Sequence, residues 1–169
     1  MSRAATRAIA ALIAAQVRHE VLHYHHDPDQ RSFGAEAVEQ LATAGPAGVR
    51  PEQVFKTLIV ELSGATPPAL AVAVLPVPAK LSLKSVASAL GAPKAALADP
   101  AVAQRATGYV LGGISPFGQR RALPTVVDAS AADFGRVLCS AGRRGWDVAV
   151  APADLIRLTV AVVADISAR

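Results

Sequence analysis

The sequence is poor in cysteine and in aromatic residues. Among its 169 residues there is one cysteine, Cys139, and Phe, Trp and Tyr together supply 4%. A single cysteine excludes an internal disulfide and a zinc cluster built on cysteine thiolates. Because aromatic rings are scarce, a hydrophobic core has to be assembled mainly from Ala, Val, Leu and Ile.

Long hydrophobic runs are also missing. No apolar stretch reaches the ~20 residues that a membrane-spanning helix needs. Residues 4–17 are apolar, but Arg3, Arg7 and Arg18 interrupt or flank them and no clear signal-peptide cleavage pattern follows. We therefore expect an amphipathic first helix, with Ser2 as its cap, no association with membranes, and a cytoplasmic location.

The bulk composition predicts one globular domain, residues 1–169. Hydrophobic residues make up 52% of the chain and charged residues 18%, which is typical of a folded protein with a proper core. The 17 basic residues exceed the 13 acidic residues, and the sequence pI is about 9.7. This balance permits an anionic partner without requiring one.

Short helices and strands alternate along the chain without the regular spacing of βαβ units. Residues 54–62 and 69–77 read as an antiparallel pair of strands, because the connection between them is of hairpin length. Ser82 and Asp99 are predicted N-caps of two helices, and Gly108 is the predicted end of the second. Further β segments are predicted at 124–128, 135–140 and 146–150. The pattern predicts the α+β class, with a mixed and curled sheet.

Lys56 lies in the first of these strands, within VFKTLIVEL (54–62). Strand side chains alternate, so Val54, Lys56, Leu58, Val60 and Leu62 share one face, and four of the five are aliphatic. An ammonium is costly to remove from water unless its charge is paired or used. Two interpretations follow: a lysine at a sheet edge with its head in water, or a functional cation.

A glycine-rich segment, GGISPFG (112–118), is the second candidate site. Gly112 and Gly113 can bring backbone N–H groups close to a ligand, and Pro116 stiffens the far end. Such a loop could bind a carboxylate, a phosphate or a developing oxyanion. It could equally be a plain connector between two β segments.

The histidines and Ser140 do not predict familiar catalytic centres. His19, His23, His25 and His26 are the four histidines, and catalytic zinc normally has three protein ligands, which this cluster does not readily supply. We expect no metal and no cofactor. Ser140 is not part of a G-x-S-x-G elbow, so a serine-hydrolase interpretation fails.

Arginines follow both the glycine-rich segment and Ser140. Phosphate groups are well matched by guanidinium groups, which bind them in a bidentate fashion. The alternative is a solvated charged surface. The candidate phosphate-binding residues are Arg120, Arg121, Arg143 and Arg144.

Seven motifs stand in a fixed order along the chain: YHHDP (24–28), VFKTLIVEL (54–62), LAVAVLPV (70–77), LSLKSVASALG (81–91), DPAVAQRATGYVLGGISPFGQRR (99–121), LPTVVDAS (123–130) and SAGRRGWD (140–147). Their order and content resemble the YbaK/EbsC family, freestanding relatives of the editing domain inserted in bacterial prolyl-tRNA synthetase. The resemblance covers about residues 20–166. It implies the editing-domain fold, in which the mixed sheet is curled and barrel-like.

The resemblance also implies roles for individual residues. Lys56 matches an essential lysine that faces the aminoacyl end of the tRNA, and Gly112 matches the first residue of a G-x-x-x-P loop against the carbonyl and ribose. With Gly113, these form the expected catalytic group. The expected substrate-binding residues are Tyr24, Phe33, Thr57, Pro116, Ser140 and Asp147.

By the same resemblance, the chain is expected to be a trans-editing deacylase of Cys-tRNA(Pro), and less selectively of Cys-tRNA(Cys). In the YbaK branch of the family, the thiol of the substrate cysteine attacks its own ester carbonyl, which expels the tRNA and leaves a cyclic thiolactone. The enzyme therefore supplies no nucleophile. Prolyl-tRNA synthetase is an implied partner, because the chain carries few features for selecting one tRNA. The alternatives are removal of alanine or another small amino acid, and a non-catalytic module that binds tRNA or a nucleotide.

Overall fold

Short elements make up the part of the chain that the computed structural model describes, residues 5–44 and 48–168. The α-helices there are α1 (Arg7–Ala14), α2 (Phe33–Ala44), α3 (Leu83–Ala89), α4 (Pro100–Thr107) and α5 (Pro152–Thr159). Two 3-10 helices cover Pro51–Gln53 and Ala129–Asp133. The strands are β1 (His19–His23), β2 (Phe55–Leu62), β3 (Ala69–Pro76), β4 (Lys80–Leu81), β5 (Ala95–Leu97), β6 (Thr125–Asp128), β7 (Val137–Arg143), β8 (Trp146–Val150), β9 (Val162–Ala164) and β10 (Ser167–Ala168).

Three helix termini lie where the sequence predicts them. The Ser82 Oγ accepts a hydrogen bond from the Ser85 N–H at 3.2 Å, and the Asp99 Oδ1 accepts one from the Ala101 N–H at 2.9 Å. Gly108 ends α4 with φ of 80°, a left-handed conformation that costs glycine little.

The cap of the first helix differs from the prediction. Thr6 caps α1, its Oγ1 accepting a hydrogen bond from the Ile9 N–H at 3.1 Å, while Ser2 lies outside the described residues. The same hydroxyl donates to the Ala141 carbonyl of β7 at 2.7 Å. A contact that is distant in sequence therefore helps to fix where α1 begins.

The strands form three open sheets. A five-stranded sheet has the order β5-β2-β3-β6-β9 and contains both antiparallel and parallel pairs, a three-stranded antiparallel sheet has the order β1-β8-β7, and β4 pairs with β10. One isolated parallel bridge, Val54 to Leu138, connects the first sheet to the second. The predicted α+β class with a mixed sheet is confirmed. The predicted barrel-like closure is not, because no sheet within the described residues closes on itself.

Aliphatic side chains supply nearly all of the core, as the composition predicts. Strand β3 is central: Val72 and Val74 face a cluster that includes residues of α1, whereas Ala71, Ala73 and Leu75 face a cluster that includes residues of α3. This strand is therefore covered on both faces. In the described part of the chain, no helix is long and apolar enough to cross a membrane.

A buried carboxylate at the end of β6 holds the C-terminal residues in place. Asp128 is 3% exposed, and its Oδ1 accepts hydrogen bonds from the Ile166 N–H at 2.9 Å and from the Ser167 hydroxyl at 3.3 Å. Its Oδ2 accepts hydrogen bonds from the N–H and the hydroxyl of Ser130. These four donors stabilise a charge that would otherwise be costly to bury.

Asp128→Ala should lower the free energy of unfolding by about 2–4 kcal/mol, because buried donors lose their acceptor together. Urea denaturation followed by circular dichroism measures the change. Asp133→Ala, at an exposed position in the adjacent 3-10 helix, is the control and should change the unfolding midpoint little. Equal midpoints for Asp128→Ala and the wild type would contradict this account of the C-terminal residues.

Candidate functional site

A cleft of about 400 Å³ lies between the first half of β2 and the β7–β8 pair. Strand β5 pairs only with Val60–Leu62, so the first half of β2 has a side without a strand partner. The consecutive residues 55–58 all line the cleft, which shows that it wraps around this side of β2 rather than lying on one face. The lining residues are Tyr24, Arg31, Phe33, Gly34, Ala37, Val54, Phe55, Lys56, Thr57, Leu58, Val77, Leu111, Gly112, Ile114, Ser140 and Asp147.

Lys56 is half-buried in the wall of this cleft. Its Nζ donates hydrogen bonds to the Ala79 carbonyl at 2.6 Å and to the Val77 carbonyl at 3.2 Å. Burial lowers the pKa of the ammonium from its usual range. Because an ammonium has three N–H donors, two carbonyls leave one donor for an occupant of the cleft. Lys56 lies in the half of β2 that β5 does not cover, but its ammonium is bound by two carbonyls instead of extending freely into water.

Asp147 and Ser140 form the opposite wall, as cross-strand neighbours in β8 and β7. Asp147 is 4% exposed, and burial raises the pKa of its carboxyl to about 7. Within the described residues, neither the Asp147 Oδ2 nor the buried Thr57 Oγ1 has a hydrogen-bond partner. Buried polar atoms are nearly always paired in folded proteins. These two atoms are therefore suited to bind polar groups of a ligand in the cleft.

The glycine-rich segment contributes Gly112 but not Gly113 to the cleft. Gly112 has φ of 80°, and among the described residues its N–H has no hydrogen-bond partner. The Gly113 N–H donates to the Val110 carbonyl at 2.9 Å, so this donor is already used. Pro116 is buried outside the cleft lining. Within the segment, Gly112 and Ile114 line the cleft, and so does Leu111 immediately before it.

The segment between β1 and α2 brings Tyr24 and Phe33 to the cleft. Burial, reinforced by the negative charge of Asp147, raises the pKa of the Tyr24 phenol. The Glu36 carboxylate of α2 holds this segment in place. The His26 Nδ1 lies 2.6 Å from the Glu36 Oε1, and the Asp27 N–H donates to the Glu36 Oε2 at 3.0 Å. At least one histidine of the sequence cluster thus has a structural contact. In residues 5–44 and 48–168, no group of His, Cys, Asp and Glu is arranged to hold a metal ion.

The predicted phosphate-binding arginines are exposed near the glycine-rich segment. The Arg143 guanidinium lies 4.7 Å from the centre of the Trp146 ring, and that of Arg144 lies 4.6 Å from the centre of the Phe33 ring. Arg120 and Arg121 follow the segment on its other side. The Arg7 guanidinium also lies near Arg120, because a Cβ added at Gly108 would lie 2.9 Å from the Arg7 Nη1 and 3.6 Å from the Arg120 Cβ.

Sequence reasoning missed several residues of the cleft. Most are aliphatic, and a cleft-lining aliphatic residue has the same local sequence pattern as one in the core. Arg31 could not be predicted in the cleft either, since it lies in a polar loop where an arginine is ordinary. The missed lining residues are Arg31, Gly34, Ala37, Val54, Phe55, Leu58, Val77, Leu111 and Ile114.

The cleft can orient a small polar group and stabilise negative charge on it. Lys56 and the Gly112 N–H supply donors, while Asp147 can accept a hydrogen bond or release a proton near neutral pH. A protein nucleophile is not evident among the described residues: Cys139 is fully buried, and burial raises the pKa of its thiol. The Ser140 Oγ accepts a hydrogen bond from the Gly142 N–H at 3.1 Å, and no histidine lies in this lining. The class that fits is an enzyme acting on a reactive acyl group.

Comparison with known proteins identifies the family. The profile of the aminoacyl-tRNA editing domain matches residues 34–158. The chain is 32% identical over 128 residues to a protein of Enterococcus faecalis named "Putative Cys-tRNA(Pro)/Cys-tRNA(Cys) deacylase EbsC", and the alignment covers 76% of each chain. The chain belongs to the aminoacyl-tRNA editing domain family.

Solved structures share the fold of this chain. The hypothetical protein APE2540 superposes with a TM-score of 0.80 at 26% identity, over 96% of this chain and 100% of that one. A protein described as "a putative trans-editing enzyme for prolyl tRNA synthetase" gives a TM-score of 0.75 at 21% identity, over 96% of each chain. The second likeness concerns the fold alone. The family and the α+β fold expected from the sequence motifs are thus confirmed.

Lys56→Ala should lower kcat/KM for an acylated tRNA by about 10² or more, because the cleft loses an electrostatic stabiliser. Lys56→Arg should also be poor, since the guanidinium is larger and presents its donors differently. Lys94→Ala, at an exposed lysine, is the matched control. A folded Lys56→Ala variant, verified by circular dichroism, with turnover near that of the wild type would rule out a catalytic role.

Proposed function

We propose that this protein is a trans-editing deacylase that clears Cys-tRNA(Pro), and less selectively Cys-tRNA(Cys). The observation that carries the proposal is the content of the cleft: a half-buried ammonium, a buried carboxyl with a free oxygen, and no evident protein nucleophile among the lining residues. An aminoacyl ester is already activated, so its cleavage needs orientation and oxyanion stabilisation more than a strong nucleophile. The name of the E. faecalis relative supports the cysteinyl substrates.

In the proposed reaction, the thiol of the cysteinyl group attacks its own ester carbonyl. The new carbon–sulfur bond closes a cyclic thiolactone, and the bond from the carbonyl carbon to the ribose oxygen breaks. The thiol proton ends on the ribose hydroxyl, so atoms balance without a cofactor or a water. Asp147 is suited to carry this proton, because its pKa of about 7 lies close to that of a thiol.

Lys56 and Gly112 stabilise the oxyanion that forms during this attack. The third N–H of Lys56 and the unpaired N–H of Gly112 are the donors for it. Intramolecular attack gains roughly 7–11 kcal/mol in well-oriented systems, so folding the cysteinyl group back on itself supplies a large part of the rate. The cysteinyl group is surrounded and oriented by four lining residues, Thr57, Ser140, Tyr24 and Phe33. Prolyl-tRNA synthetase is the proposed partner, because a cleft of about 400 Å³ has room for the acylated end of a tRNA and not for the features that distinguish one tRNA from another.

The experiment that tests this function compares the release of cysteine, serine, alanine and proline from tRNA(Pro), and of cysteine from tRNA(Cys). Cys-tRNA(Pro) should be cleaved fastest, and Ser-tRNA(Pro), with a weaker nucleophile in place of the thiol, should be a poor substrate. Cys139→Ser should stay active, because the buried thiol takes no part.

Each other result has a definite meaning. Rapid cleavage of Ser-tRNA(Pro), or inactivity of a folded Cys139→Ser variant, would contradict the substrate-assisted reaction. Release of alanine alone would assign the protein to the editing of alanine. Release from none of the five substrates would favour a binding module.

Binding of tRNA should weaken as salt is raised, since the pairing of basic side chains with phosphates releases counterions. Replacing Arg120 and Arg121, or Arg143 and Arg144, with alanine should reduce the slope of log K against log salt by about 1 for each phosphate that is no longer neutralised. Arg50 and Arg157, which pair with Glu52 and Asp154, are the control positions. Unchanged slopes for both pairs would move the tRNA to another face.

A further inference from the structure

Arg144 contacts two walls of the cleft from outside it. Its Nε donates a hydrogen bond to the Leu111 carbonyl at 2.7 Å, and its Cζ lies 4.6 Å from the centre of the Phe33 ring. Leu111 and Phe33 both line the cleft, whereas Arg144 does not. One exposed side chain at the β7–β8 turn thus joins Leu111, the residue before the glycine-rich segment, to the start of α2.

The Phe33 ring contacts both the Arg144 guanidinium and the Gly112 backbone. A Cβ added at Gly112 would overlap the ring, which shows that the ring lies directly against the Gly112 backbone. At the next position, a Cβ on Gly113 would lie 3.1 Å from the Arg144 backbone nitrogen. There is therefore no room for a side chain at Gly112 or Gly113, where the glycine-rich segment packs against the Phe33 ring and the β7–β8 turn.

Arg143 provides an internal comparison. It is also exposed and is adjacent in sequence, but its guanidinium stacks on Trp146, which does not line the cleft. A general contribution of positive charge at this turn would be shared by both arginines. Only Arg144 touches residues that shape the cleft.

We infer that Arg144 is a positioning residue: it holds the Phe33 ring against Gly112 and so fixes the size of the aminoacyl group that the cleft accepts. This inference rests on the proposed function, because the aminoacyl group is its occupant. The planar guanidinium suits the role, since it stacks on a ring and donates in its own plane at the same time. A lysine at this position would keep the charge and lose both features.

Binding of non-hydrolysable probes tests the inference without requiring turnover. The probes are cysteinyl and leucyl amides of 3′-amino-3′-deoxyadenosine, which carry no phosphate. Arg144→Ala should reduce the preference for the cysteinyl over the leucyl probe by about 10-fold, the low end of size discrimination by an apolar pocket. Arg144→Lys should behave like Arg144→Ala, and Arg143→Ala should retain the wild-type preference.

A double-mutant cycle gives a second readout that does not depend on substrate. The shift in urea midpoint of Arg144→Ala combined with Phe33→Ala should be smaller than the sum of the two single shifts, because either substitution alone already removes the stacking between the two side chains. Arg143→Ala combined with Phe33→Ala should be additive. Circular dichroism establishes that each variant is folded.

The inference is overturned if Arg144→Ala keeps the wild-type preference, if Arg144→Lys restores it, or if Arg143→Ala alters it equally. Additive shifts for Arg144 and Phe33 would also overturn it. Absence of turnover with every acylated tRNA would defeat the proposed function alone, since the amide probes would still report the size of the cleft. Failure of the wild type to bind either probe would defeat both.

Discussion

The desolvation of Lys56 and Asp147 is the constraint on which the rest of this structure depends. Burial lowers the pKa of the lysine and raises that of the aspartate to about 7, so the cleft disfavours the charged form of each. Asp147 has a folded pKa above its unfolded value of 3.8. Its favourable contribution to stability is therefore complete below pH 3.8 and is lost as the pH rises through about 7. Near neutral pH the site weakens the fold that contains it.

The aliphatic layers around β3 offset this cost. That strand is buried on both faces, and it pairs with β2 along the whole length of both strands, including Lys56. The two carbonyls that accept from Lys56 belong to the segment that follows β3, so the hairpin that carries the lysine also restrains it. The β2–β3 hairpin thus both positions the lysine of the cleft and forms the centre of the sheet.

Local sequence signals predicted the parts of the fold that are themselves local. Ser82, Asp99 and Gly108 stand at helix ends because capping involves residues only a few positions apart. The resemblance to the YbaK/EbsC family located seven residues that line one cleft and one, Pro116, that does not; the seven are Tyr24, Phe33, Lys56, Thr57, Gly112, Ser140 and Asp147.

Contacts between distant segments could not be predicted in the same way. Thr6 rather than Ser2 caps α1, and its hydroxyl also meets Ala141, 135 positions away in sequence. The side of β2 that faces the cleft is free because β5 is too short to cover it, which composition and periodicity do not reveal. Gly113 looked equivalent to Gly112, yet a turn bond to Val110 uses its N–H.

The parallel bridge between Val54 and Leu138 joins the strands that form the two walls of the cleft. Lys56 and Thr57 follow Val54 in β2. Ser140 follows Leu138 in β7 and pairs with Asp147 of β8. Because the bridge is parallel and Lys56 and Ser140 each lie two residues beyond it, the bridge fixes which residue of one wall stands level with which residue of the other. A slip of one residue at this bridge would bring a neighbouring residue of β7 level with Lys56 in place of Ser140.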